Sequence, residues 1–163
     1  MTKVLLMKAL KRFTEESVKE LLMPTKVQSA GEEPALRCAE VHLMRLPDSR
    51  SAHKKAPYIL HQLITGIDQQ QAGQLDTSGA KVRSIFCVYS DDEEEGGMML
   101  LNLMERLRIA LLRSRLIDDL YELDMEAGIE TLCYPDDTAP YYVGEMVSTW
   151  KCPVVEREVR KWL

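Results

Sequence analysis

At 163 residues, with 45% hydrophobic and 29% charged side chains, the chain has the make-up of one globular domain, large enough to bury roughly 70% of its unfolded surface. A net charge of −5 excludes a general nucleic-acid binder, whose electrostatic footprint would be basic. Four cysteines, Cys38, Cys87, Cys133 and Cys152, show no CxxC spacing and no histidine cluster, which excludes a zinc signature. The apolar or strand-like settings of Cys38, Cys87 and Cys152 predict buried, reduced thiols.

Residues 2–22 read as helix. Val4, Leu5, Leu10, Val18, Leu21 and Leu22 leave an apolar stripe broken by Lys3, Lys8, Lys11, Arg12, Glu15, Glu16, Lys19 and Glu20. Thr14 followed by Glu15 and Glu16 resembles an N-cap with first-turn acids, so a break or two short helices is expected there. Met23-Pro24 ends the segment. The N-terminal apolar run is too short and too interrupted by lysine for a signal peptide. No stretch reaches the roughly 20 apolar residues of a membrane span. The expectation is a cytoplasmic protein with no membrane partner.

Residues 25–35 are connector. Residues 36–46 alternate, with Val41 and Leu43 on one face and His42 and Met44 on the other, which predicts a first strand. Residues 47–56 form a polar, locally basic loop carrying Arg50, His53, Lys54 and Lys55. A second strand over 57–67 is apolar on both faces, which predicts a central position with something packed on each side. Residues 68–80, with Gln69, Gln70, Gln71 and Gln74, read as a long soft connection to a third strand over 81–90. The resulting hairpin tip is longer than turn chemistry needs, and such loops are more often functional or disordered than idle.

The acidic run Asp91, Asp92, Glu93, Glu94 and Glu95, then Gly96-Gly97, leads into the clearest helix. Leu100, Leu103 or Met104, Leu107 and Leu111 recur at helical spacing, acids precede it and arginines follow, as the helix dipole prefers. Residues 121–125 and 129–133 are short strand candidates, and 136–140 is a turn. Residues 141–153 form the most informative stretch, a long strand with Tyr142, Met146 and Trp150 on one face. Val143, Glu145, Val147, Thr149 and Lys151 share the other face, and Pro153 stops ladder pairing. Residues 154–163 are a charged tail with Trp162 near its end. The order predicts a single α+β domain over 1–163: an N-terminal helix (1–23), a core (36–155) and a C-terminal tail (156–163). Its antiparallel or mixed sheet carries two main helices packed mostly on one face.

No catalytic, metal-binding or cofactor motif stands out, and the chain is expected not to be an enzyme. His42, His53 and His61 lie in different segments without a Ser or Cys nucleophile elbow. Gly96-Gly97 lacks both the Walker lysine and the dinucleotide-binding spacing, and Met98-Met99-Leu100 reads as core.

Two charged segments carry alternative readings. Asp91 to Glu95 is either a solvated helix start or a set of acids facing a lumen or neighbouring subunit, where it would repel a DNA backbone and let it pass. The run lacks the spacing of a calcium loop. Arg50, His53, Lys54 and Lys55 are either solvated or dock an acidic partner surface. The arm from Gln69 to Ala80 is a candidate for ordering on assembly, by strand addition to a neighbouring sheet.

The sequence resembles the tail-terminator, or tail-completion, proteins of long-tailed bacteriophages and tail-like particles. The resemblance rests on Pro57-Tyr58-Ile59-Leu60-His61-Gln62-Leu63-Ile64-Thr65-Gly66 running through a loop into Ile85-Phe86-Cys87-Val88-Tyr89-Ser90, then the acidic-glycine turn. The helix around Leu100-Leu101-Asn102-Leu103-Met104-Glu105-Arg106-Leu107-Arg108 and the late strand from Tyr142 to Trp150 with Pro153 complete it. The Arg45-Leu46-Pro47 segment and the basic loop are similar to versions from phages of Gram-positive hosts. The pattern covers most of 36–155 and contains no signature motif.

The resemblance implies a virion protein, assembled in the bacterial cytoplasm, that caps the tail tube as a homohexameric ring. Such a ring stops tube polymerisation and offers an interface to the head, neck or connector, with genomic DNA crossing its lumen unbound. A head-side neck or connector ring subunit is the alternative among virion proteins. A small ligand-binding or enzymatic α+β domain, with a pocket between sheet and helix, is the alternative from another class.

Overall fold

The computed structural model describes residues 2–26, 31, 33, 35–47, 55–134 and 139–158. Its elements in chain order are α1 (Lys3–Val18), β1 (Met23–Pro24), β2 (Leu36–Arg37), β3 (Glu40–Leu43), β4 (Tyr58–Gln69) and β5 (Thr77–Tyr89). They continue as α2 (Glu93–Ser114), β6 (Leu116–Ile117), β7 (Tyr121–Leu123), β8 (Glu130–Cys133) and β9 (Tyr141–Cys152). β1 and β2 pair as a small separate ribbon. The main sheet runs β3-β4-β5-β9-β7-β6, with β8 also on β9. It is an α+β fold, and both helices pack on one face of this sheet.

β9 organises the sheet as its alternation predicts. One edge pairs with β5 along its whole length, Ser78 opposite Cys152 through Tyr89 opposite Tyr141. The other edge is shared by two short strands: β8 against residues 144–147 and β7 against 150–151. Met146, Ser148 and Trp150 point into the helix-covered face and are buried. There they join Leu6 and Leu10 of α1, Leu103, Leu107 and Leu111 of α2, and Val82, Phe86 and Val88 of β5. That contiguous apolar set is the main stabilising term.

The opposite face has a smaller core at one end only. Tyr58, Leu60, Cys87 and Tyr89 are buried there beneath Leu46 and Ala56, which flank the basic loop. Burial pushes the Cys87 thiol up to about 12, so it behaves as an inert apolar side chain. Cys38 and Cys152 are half-buried and Cys133 is exposed, and all four cysteines are free thiols.

Several local expectations are corrected. α1 runs unbroken through Thr14; its N-cap is Thr2, whose hydroxyl accepts from the Leu5 N–H at 3.3 Å. Thr14 is buried mid-helix, because its hydroxyl donates to the Leu10 carbonyl at 2.7 Å and meets His61 at 2.8 Å. The strand expected over 36–46 divides into β2 and β3, and β3 lies parallel to β4, so the sheet is mixed. The soft connection expected over 68–80 shrinks to residues 70–76, because β4 extends to Gln69 and β5 begins at Thr77. β1 and β6 have no counterpart in the sequence reading.

Candidate assembly surface

The β4–β5 hairpin changes along its length from buried to exposed. Next to β3, residues 58–61 of β4 are buried on both faces, as a central strand should be. Farther along, Met44 reaches across with its N–H on the His61 carbonyl at 2.7 Å and its carbonyl accepting from the Gln62 amide at 3.2 Å. From Ile64 to Gln69, none of the described strands pairs with the outer edge of β4. That half of the strand is exposed, Ile64 and Ile67 included. Its inner edge is held by β5, from Thr65 opposite Lys81 to Gln69 opposite Thr77.

The arm is braced at its root. Lys3 at the start of α1 crosses Gly66, and its Nζ donates to Asp68 Oδ2 at 3.0 Å. Asp68 also accepts from the Ser78 hydroxyl, and these two donors hold its carboxyl below the usual carboxylate range. Gln69, Gln70, Gln71 and Gln74 lie at the exposed tip with Leu75, where Gln70 donates to Asp76 at 3.1 Å. The structure therefore gathers the four glutamines onto one projecting turn. A shallow groove at the arm's base, lined among others by Lys3, Asp68, Ser78, Cys152 and Arg157, is open to solvent.

The acidic run sits elsewhere, at the start of α2. Asp92 is the N-cap, accepting from the Glu95 N–H at 2.9 Å, and Glu93, Glu94 and Glu95 fill the first turn, where the helix dipole favours them. Asp91 accepts from the Tyr89 hydroxyl at 2.8 Å, which raises the Tyr89 pKa. All five acids are exposed. The turn is locked to β9 by a contact that the sequence did not announce. A Cβ on Gly96 would lie 2.2 Å from a Tyr142 ring carbon, so only glycine lets that ring lie across the helix start. Tyr142 has its pKa raised first by burial and then by the nearby Glu93 and Asp92 charges.

This contact gives a test. Helix propensity alone predicts that Gly96→Ala stabilises by about 1 kcal/mol. The Tyr142 clash reverses the sign, and we expect a net loss of about 1–3 kcal/mol in urea denaturation. Gly97, with open space around its Cβ position, is the control at which the same change is expected to stabilise.

Of the basic-loop candidates, Arg50, His53 and Lys54 lie outside the described residues, as does Trp162. Lys55 is half-buried, and its carbonyl accepts from the Arg37 guanidinium. The glutamine tip lies at the far end of the β4–β5 hairpin from the acids, whereas Lys55 precedes β4 near them: its neighbour Ala56 packs with Tyr89, which donates to Asp91. Among the described residues, no three or more His, Cys, Asp or Glu side chains cluster to hold a metal ion. No helix among them is long and apolar enough to cross a membrane.

Among the described residues, a second bare edge lies across the sheet. β8 pairs with β9 on one side only, and Glu130, Thr131, Leu132 and Cys133 are all exposed. Strand direction reverses from β4 to β5, from β5 to β9 and again from β9 to β8, so β4 and β8 run antiparallel to each other. No protein-family model matches the chain, and no curated protein matches it in sequence.

Proposed function

We propose that this chain is a structural assembly subunit that caps a phage-type tail tube as a ring, stopping tube growth and presenting a surface to the head or neck. One observation carries the reading: two bare sheet edges, on β4 and β8, face opposite ways and run antiparallel. Copies related by rotation within a ring then meet edge to edge, β4 of one beside β8 of the next, in the favourable antiparallel sense. Such a contact is heterologous and closes when the rotation closes. The two bare segments sit at different heights on the sheet, so pairing them offsets each copy along the strands, as shear does in a closed barrel.

The sixfold count and the tail-tube partner come from the resemblance to tail terminators. In this reading Asp91 to Glu95 present an acidic surface to passing DNA or to a neighbour, and the basic loop docks an acidic partner.

The test is native mass across a concentration series, with and without magnesium, followed by negative-stain imaging. The chain is expected to form a ring with a central hole, alone or on isolated tube ends. Lysines at Thr65 and Ile67 place charge on the bare β4 edge and are expected to abolish the ring while leaving circular dichroism unchanged. Rings that persist in that double variant would remove β4 from the contact. Neutral amides at Asp91 to Glu95 test the acids separately; unaltered ring formation and DNA passage would end their proposed role.

A further inference from the structure

The outer face of α2 carries an unexpected pattern. Its core face is Gly96, Leu100, Leu103, Met104, Leu107 and Leu111, all buried. Met98, Leu101, Glu105 and Ile109 recur every three or four residues on the opposite side, and Leu112, half-buried and packed in part against the core, borders them, which makes a second, outward stripe. Met98 is 63% exposed, Leu101 41% and Ile109 39%, while Leu112 is half-buried. A surface helix normally keeps such a stripe polar. Charge along α2 is also segregated: Glu93, Glu94 and Glu95 fill its first turn, while Arg106, Arg108, Arg113 and Arg115 lie in its second half or at its C-cap.

We propose that this face pairs with the same face of a second copy, antiparallel, about a two-fold axis near Glu105. The register is set by the residues themselves. Centring the axis on Glu105 places Met98 against Leu112 of the second copy and Leu101 against Ile109, so apolar meets apolar along the stripe. At 100° per residue, Glu95 and Arg113 fall on the same flank of the stripe. Antiparallel helices bring like flanks together, so Glu95 comes within two residues, about 3 Å along the axis, of Arg113 of the second copy. That pair joins the acidic end of one helix to the basic end of the other, and the two-fold repeats it.

The centre is compatible as well. Glu105 and Arg108 form a bidentate pair at 2.6 and 2.7 Å within each copy, so the two Glu105 carboxylates that meet at the axis are each neutralised by their own arginine. The 22 residues of α2 offer about 33 Å of seam. A parallel arrangement is disfavoured because it stacks acids on acids and arginines on arginines. This surface is the helix layer, not the sheet edges, so it stands or falls independently of the ring: with rings, it would join two of them.

Sedimentation velocity on the full chain over a wide concentration range, at low and high salt, tests this. The expected result is a concentration-dependent doubling of mass that high salt weakens. Leu101→Asp is expected to abolish the doubling with unchanged circular dichroism. Arg113→Glu is expected to weaken it by about tenfold or more, and adding Glu95→Arg to that variant is expected to restore it. A single unpaired species at every concentration would overturn the proposal, as would a doubled mass indifferent to Leu101→Asp. Failure of the charge swap to restore association would overturn the register.

Discussion

Trp150→Ala is expected to cost about 3–5 kcal/mol, which for a domain of ordinary stability, about 5–15 kcal/mol, is a large part of the whole. The indole is fully buried on β9, and its Nε1 donates to Ser148 Oγ at 3.0 Å on the same face. Its cross-strand neighbours explain why nothing smaller will serve. The row across the sheet at this level is Gly66, Ala80, Trp150, Leu123, two minimal side chains beside the largest one. The neighbours leave space that the indole fills, and removing it opens a cavity into which strands pinned on both edges cannot collapse. Ser148 also loses its donor, which adds a smaller polar cost. Urea denaturation followed by far-ultraviolet circular dichroism measures the loss. Trp150→Phe, which keeps most of the volume, is expected to cost less than half as much. Equal effects from the two variants would show that the Ser148 bond, not volume, holds the site.

The same residue shows what the sequence made legible. β9 could be found because one of its faces is apolar and the other is not, so period-two alternation survives in the residue string. α2 was readable for the corresponding helical reason. The last two residues of β4 were not, because Asp68 and Gln69 belong to a solvated arm where no apolar side chain marks either face. The parallel pairing of β3 with β4 was hidden for another reason: a parallel pair is not joined by a tight hairpin and leaves no local turn signal. Thr14 misled because a threonine followed by acids is a good cap in general. Its actual role is fixed by His61, 47 residues away, and by Ser84 beyond it.

The candidate surface divides along the same line. The acids were legible as a helix start, because Asp92 and the glutamates act within one turn. The need for glycine at 96 was invisible, because the obstacle is a ring brought in by a strand more than forty positions later. The bare edges of β4 and β8 are properties of pairing, and pairing is written in no single segment. The outward stripe on α2 was present in the sequence but masked by the stronger core stripe beside it.

Acidification is expected to destabilise this protein steeply, beginning well above the carboxylate range, and His61 is the cause. The ring is fully buried between α1 and β5. Thr14 spends its one hydroxyl proton on the Leu10 carbonyl, so His61 Nε2 must carry hydrogen and donate to Thr14 Oγ1 at 2.8 Å. Nδ1 is then the acceptor, taking a hydrogen bond from Ser84 Oγ at 2.7 Å. This network is satisfied only by neutral imidazole, and burial lowers the His61 pKa from 6.5 to about 3. The unfolded chain binds a proton below about 6.5 that the native state refuses until about 3. Stability is therefore full above 6.5 and falls as the pH drops through that window, by about 1.4 kcal/mol per unit. Between pH 6.5 and 4.5 the loss is roughly 2–3 kcal/mol. Asp68 and Glu105, whose carboxyls are held low by their partners, add to it only at more acidic pH. Urea midpoints measured at intervals from pH 7.5 to 4.5 give the slope directly. His61→Gln is expected to be less stable at neutral pH and to lose about one proton's worth of that slope. An unchanged slope in the variant would mean that His61 titrates freely in the native protein and that the core around it opens to water.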